Sequence, residues 1–119
     1  MRYAMLINGV EQEWSQATAA ERDNAMAAIG EWFDTWSAAG KIGAGSAQLD
    51  SVDTARTIRN GSTGNVVVTD GPYIELKEVI GGIVMLSADS LDEAVQIASG
   101  WPSLTGSTSI EVRPTIDME

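Results

Sequence analysis

A carboxylate, a phenol, a second carboxylate and a lysine lie within eight residues in Asp70-Gly71-Pro72-Tyr73-Ile74-Glu75-Leu76-Lys77, and Glu78 follows at once. Such groups can move a proton, or hold a cation, a hydroxyl or a substrate carboxylate. Asp70 closes an apolar run, Val66-Val67-Val68-Thr69, and precedes a glycine and a proline. Loops at strand ends are where functional groups concentrate. Three roles are open to Asp70: general base, anchor for a cationic or hydroxylated ligand, or brace for its own turn, since Asp before Gly often bonds to nearby backbone. Tyr73 offers a ring for packing and a hydroxyl for bonding. Lys77 either pairs with Glu75, Glu78 or Asp70, a surface contact contributing at most ~1 kcal/mol, or holds a substrate carboxylate in a water-poor cleft. Arg56 and Arg59 sit on opposite faces of a strand, so one can reach a cleft while the other stays in water, or both can form a charged edge. The candidate catalytic residue is therefore Asp70, with Tyr73, Lys77, Glu75 and Arg59 as ligand-binding candidates.

No metal site is assigned. Asp70, Glu75 and Glu78 are hard oxygen donors, but nothing in the sequence fixes their geometry. No cofactor is assigned either, because Gly81-Gly82 lacks the lysine and following helix of a phosphate loop. The chain has no Cys and no His. That removes disulfides, thiolate nucleophiles, Ser-His-Asp triads and zinc sites of the usual kind. Any catalysis must use carboxylates, Lys, Arg, Tyr, hydroxyls or backbone. Net charge is -10, from 17 acidic and 7 basic residues. Such a surface repels phosphate backbones and anionic membranes, so neither nucleic acid nor membrane is an expected partner.

The elements that must position these residues follow from spacing. One domain over residues 1–119 is expected from length, with hydrophobic residues at 44% providing one core. No apolar run reaches the ~20 residues of a membrane span, and the N-terminal apolar run is too short for a signal peptide, so a cytoplasmic protein is expected. Residues 3–7 read as a buried strand and residues 9–17 as a loop carrying Trp14. Thr18-Ala19-Ala20-Glu21 matches a capping box. Behind it Ala25, Met26, Ile29, Phe33 and Trp36 form one stripe on a helix of about six turns that Gly40 stops. Trp32 and Trp36, one turn apart, are expected in the core or an interface.

Residues 41–49 read as a second strand weakened by Gly43 and Gly45. Residues 54–59 and 66–69 form a hairpin around a glycine-rich loop. Leu76, Val79 and Ile80 are spaced for one helical turn over 74–80, and Ile83 to Leu86 is a central strand. Ser90-Leu91-Asp92-Glu93 caps a helix lined by Leu91, Ala94, Val95 and Ala98, ended by Gly100 and Pro102. Ser107 to Arg113 alternates as a half-exposed strand, with Ile110 and Val112 on one face. This order predicts an α+β fold: an antiparallel sheet with two helices on one face, a sandwich of ferredoxin-like type. Apolar residues on both faces of strands 3–7 and 83–86 need cover on the open side, which a second copy packing sheet to sheet would provide. A homodimer is expected.

The chain resembles the YCII-related proteins, in their DGPF subgroup. The residues that carry the likeness are Met1 to Ile7, Val68-Thr69-Asp70-Gly71-Pro72-Tyr73, then Glu75, Lys77, Glu78, Gly81 and Gly82, and Ile110-Glu111-Val112-Arg113-Pro114. The resemblance implies a dimeric α+β barrel in which two ferredoxin-like sheets face each other, with a cleft near the Asp70 segment. It further implies association of some members with alternative sigma factors and, for the wider group, enzymatic activity through a His-Asp pair. This chain departs twice. It has no His, so only Asp70 matches the pair, and Tyr73 stands where the subgroup has Phe. Two functions are therefore carried forward. One is a small-molecule-binding protein or enzyme with a polar cleft near Asp70 in a homodimer. The other is a non-catalytic regulatory or dimerisation module linked to transcription.

Overall fold

A computed structural model of the protein describes residues 1–72, 78–102 and 106–117. In chain order the elements are β1 (Arg2–Val10), α1 (Glu11–Gln16), α2 (Ala19–Ala38), β2 (Ala47–Gln48), β3 (Arg56–Asn60), β4 (Val66–Asp70), β5 (Glu78–Ser87), α3 (Leu91–Ser99) and β6 (Ser109–Pro114). Four strands make an antiparallel sheet ordered β2-β5-β1-β6, while β3 and β4 pair only with each other. The fold is mixed α+β. Among the described residues, no helix is long and apolar enough to cross a membrane.

Register decides which face is core, because residues paired across strands share a face. Tyr3 pairs with Leu86, Met5 with Val84 and Val112, and Ile7 with Gly82 and Ile110. Tyr3, Met5, Val84 and Leu86 are buried, joined in one cluster by Trp32 of α2, by Ala94, Ile97 and Ala98 of α3, and by Trp101. The opposite face carries Ala4, Leu6, Ile83 and Met85, all only partly buried. Both faces of the central strands are thus apolar, and the chain's own helices bury one of them.

The capping box at Thr18 forms in full: Thr18 Oγ1 accepts from Glu21 N at 3.1 Å, and Thr18 N donates to Glu21 Oε1 at 3.1 Å. Gly40 follows the helix with φ +73°, the left-handed stop that glycine adopts without a Cβ penalty. Ile29, Phe33 and Trp36 pack on the core, while Met26 is exposed. On α3 the buried face is Ala94, Ile97 and Ala98, and Leu91 and Val95 are exposed. The stripe read from sequence was therefore centred about one residue off, a rotation that a 3.6-residue period makes easy.

Three local readings change. The expected loop at 9–17 contains α1. Its first turn holds Glu11 and Glu13, a favourable charge at a helix start, and Glu11 also accepts from Ser51 Oγ and Val52 N at 3.0 and 2.8 Å. The expected strand over 41–49 is reduced to β2 and one bridge, Ile42 to Leu86. Gly45 has φ +103° between them, and Ser46 Oγ takes the place of a backbone acceptor for Met85 N at 3.2 Å. Finally, Glu78–Ile80 begins β5 rather than ending a helical turn, with Val79 opposite Gly9 and Ile80 opposite Asn8. A lone turn fixes several dihedrals for one hydrogen bond, so the ladder wins. The rest of that reading, residues 73–77, lies outside the described residues.

Candidate functional site

The sequence candidates sit on the β3–β4 hairpin. Asp70 ends β4 directly opposite Arg56, and its carboxylate meets Arg56 Nε at 3.1 Å. The Asp70 side chain is 90% exposed, so this is a solvated ion pair of small energetic weight. The turn after it is braced by other groups: Gly71 N donates to Ala55 O at 2.8 Å, and Thr57 Oγ1 donates to Gly71 O at 2.7 Å. Gly71 has φ +88°, a conformation that explains the glycine. Arg59 lies on the other face of β3, opposite Val67. Tyr73, Glu75 and Lys77 lie outside the described residues. The described protomer therefore brings Asp70 together with Arg56, not with Arg59, and on an open face.

The Asp70 face also carries three apolar side chains between its polar ends. Cross-strand pairing places Arg56, Ile58, Asn60, Val66, Val68 and Asp70 on one side, with Thr57, Arg59, Val67 and Thr69 on the other. Ile58, Val66 and Val68 are 67%, 66% and 58% exposed.

A concave site lies elsewhere, at the end of the sheet beneath α2. Ile7, Gly82, Ile83 and Val84 of the central strands, Phe33 of α2, Ser46, Ala47 and Gln48 of the edge, and Trp101 line a pocket of about 330 Å³. Its floor depends on a bulge. The pairing of β1 with β5 slips between Ile7 and Asn8, so Gly81 is the unpaired residue and Gly82 faces Ile7. A Cβ on Gly82 would meet Ala47 O and Ile7 Cδ1 at 3.6 Å, ordinary contact, so the glycine leaves open a space that a methyl would partly fill.

Trp101 forms an aromatic wall of this pocket, beside the polar Ser46 and Gln48 of the edge. It follows α3, with its N bonded to Ala98 O at 3.0 Å, and its ring meets Trp32 and Phe33 edge-on at centroid distances of 5.0 and 6.0 Å. The residue is 7% exposed. Its indole Nε1–H is buried and has no acceptor among the described residues. The neighbouring Trp32 Nε1–H, by contrast, donates to Ile97 O at 3.2 Å. A buried donor without a partner forfeits about 1–3 kcal/mol, and this one is closed off from solvent, so an acceptor in the pocket reaches it only when the side chains around the indole shift. Sequence reasoning did not select Trp101. The available signal was a large aromatic between the helix-ending Gly100 and Pro102, where nothing about helix periodicity requires one.

Away from the pocket, Lys41 Nζ meets Glu93 Oε1 at 2.9 Å, and the same oxygen accepts from Asp89 N at 3.1 Å. The hydrogen bond from Lys41, then that from Asp89, holds the Glu93 carboxyl below its ordinary value, and the bond to Glu93 raises the Lys41 ammonium above its own. This pair joins the edge segment to the start of α3 and is structural in placement.

The fold and the pocket define a small α+β protein with an apolar recess under one end of an antiparallel sheet. The YCII-related domain matches residues 1–119 in full, and the chain belongs to that family. An uncharacterized protein of Rhizobium meliloti (strain 1021) is 35% identical over 115 residues, covering 96% of this chain and 91% of that protein.

Proposed function

We propose that the chain is a small-molecule-binding protein of the DGPF subgroup, working as a homodimer of ferredoxin-like halves joined in a dimeric α+β barrel. The strand order β2-β5-β1-β6 and the partly covered face of Ala4, Leu6, Ile83 and Met85 support the barrel reading. The observation that carries the binding reading is the recess lined by Ile7, Phe33, Gly82, Val84 and Trp101, beside which the Trp101 indole N–H is buried without a partner among the described residues. The ligand class is a small, mostly apolar molecule with one hydrogen-bond acceptor, such as a carbonyl, ether or hydroxyl, directed at Trp101 Nε1. Ser46 and Gln48 at the sheet edge supply secondary polar contacts. None of the lining residues named above carries a titratable group, so the proposal is binding, not acid–base catalysis in the pocket. This proposal puts the ligand at the sheet end rather than at the Asp70 loop, whose candidates Tyr73, Glu75 and Lys77 lie outside the described residues.

The test is a thermal-shift screen of small carbonyl and hydroxyl compounds on wild type, Trp101→Phe and Gly82→Ala. A compound at a hundred times its dissociation constant stabilises wild type by about 2.7 kcal/mol. Loss of one hydrogen bond in Trp101→Phe weakens affinity roughly 3- to 10-fold, and Gly82→Ala weakens it by filling space. Hits that are equally strong in both variants would place the ligand elsewhere.

A second reading, a regulatory module that docks on another protein, is favoured by one observation: the exposed apolar face of the β3–β4 hairpin.

A further inference from the structure

The hairpin is an anomaly in a folded chain. Among the described residues β3 and β4 pair with no other strand, and all but Thr57 and Thr69 of their residues are exposed. An isolated two-stranded hairpin is at best marginally stable in water, and a face of Ile58, Val66 and Val68 left in solvent makes it worse. The whole chain shows the same excess. Its accessible surface is 8219 Å², whereas a folded monomer of 12.6 kDa exposes about 6,200 Å². Its radius of gyration is 16.5 Å against about 13.5 Å for a compact domain of this length.

We infer that the Ile58–Val66–Val68 face of the β3–β4 hairpin is a dimerisation arm that packs on a second copy of this chain. This rests on the homodimer in the reading above, and adds the surface that holds it together. Area is the first argument. The excess of about 2,000 Å² belongs to the chain as a whole, shared by the hairpin and the partly covered sheet face; for a pair it is about 4,000 Å², within the 2,000–5,000 Å² that obligate homodimers bury. Charge is the second. The hairpin holds Arg56 and Arg59, two of the 7 basic residues, against Asp70 alone of the 17 acidic ones. A slightly basic arm thus extends from a chain whose remainder is strongly acidic, and a second copy offers it the complementary field. In this arrangement Asp70 and Arg56 form a paired polar rim beside an apolar centre, the usual anatomy of an interface.

The experiment is light scattering and sedimentation across a dilution series, with circular dichroism as the folding control. The variants are Ile58→Asp/Val68→Asp, Ile58→Thr/Val68→Thr and Val67→Asp. The Thr pair keeps β-branched shape and strand propensity while removing apolar surface. Val67→Asp burdens the opposite face of the same strand. Wild type is expected to be a dimer. Both double variants should raise the dissociation constant about 30-fold or more, as loss of central interface residues does, and Val67→Asp should leave it within about threefold. A monomeric wild type overturns the inference, as would equal dissociation constants in all three variants. A wild type that is monomeric yet binds a ligand at Trp101 would sink the arm and leave the pocket reading standing. A dimer that binds no ligand would do the reverse.

Discussion

Two tryptophans one contact apart differ in a single hydrogen bond, and that difference is measurable. Trp32 donates to Ile97 O, whereas Trp101 donates to nothing described. Trp32→Phe removes the indole bond to Ile97 O, which keeps the longer one from Gly100 N at 3.3 Å, and it also loses buried ring area, so it is expected to destabilise by about 2 kcal/mol. Trp101→Phe loses ring area but also removes an unsatisfied donor, so its net cost is expected to be about 1 kcal/mol or less. Urea denaturation of the two variants checks the order, and equal losses would contradict the reading of Trp101. A second residue-level prediction concerns pH. Glu93 is held below its ordinary 4.5, so its contribution is present above that value and is lost as pH falls through the lowered one. Lys41 is raised above 10.5, so its contribution is full below that value and is lost as pH rises through the raised one. Lys41→Met should therefore melt below wild type at neutral pH, with the two curves converging below pH 4.5 as Glu93 protonates. A constant gap down to acid pH would assign the effect to packing.

At the scale of elements, caps and glycines carry the predictions. Ser90 Oγ accepts from Glu93 N at 3.1 Å and caps α3, so Ser90→Ala should cost about 1 kcal/mol in thermal or chemical unfolding. The hairpin turn depends on Gly61, where a Cβ would fall 2.6 Å from Asn65 O. Gly61→Ala should deform the turn and raise amide exchange throughout β3 and β4 while leaving β1 and β5 protected. Exchange spreading into the four-stranded sheet would contradict the separation of the two sheets. These are also the features that sequence showed best. The capping residues at Thr18 and Ser90, the Gly40 stop and the hairpin strands are local signals with local causes. What sequence hid was decided at a distance. Residues 41–49 look like one strand until Ser46 is seen substituting its hydroxyl for backbone along β5. Val79 and Ile80 fit a helical turn until β1 supplies a ladder. Asp70 was legible as a strand-end carboxylate, but its open setting was not. Trp101 was visible only as a residue type, because an unpartnered N–H is a property of packing.

For the whole molecule, the account predicts that stability depends on assembly. One face of the four-stranded sheet is only partly covered and one hairpin face is exposed within the protomer, so the melting temperature should rise with protein concentration across the dissociation range. A melting temperature independent of concentration, in a chain that sediments as a monomer, would contradict that account.

The central claim is that the pocket serves ligands through the Trp101 indole. The most direct measurement is the indole N–H region of a proton–nitrogen NMR spectrum, with Trp101 assigned through Trp101→Phe, during titration with hits from the thermal screen. The account predicts that the Trp101 indole resonance moves downfield as it gains an acceptor, while that of Trp32, already bonded to Ile97 O, stays within the shifts of general contact. A titration in which every indole stays still and the moving amides cluster around Asp70 and Arg56 would contradict the claim and return the ligand to the hairpin.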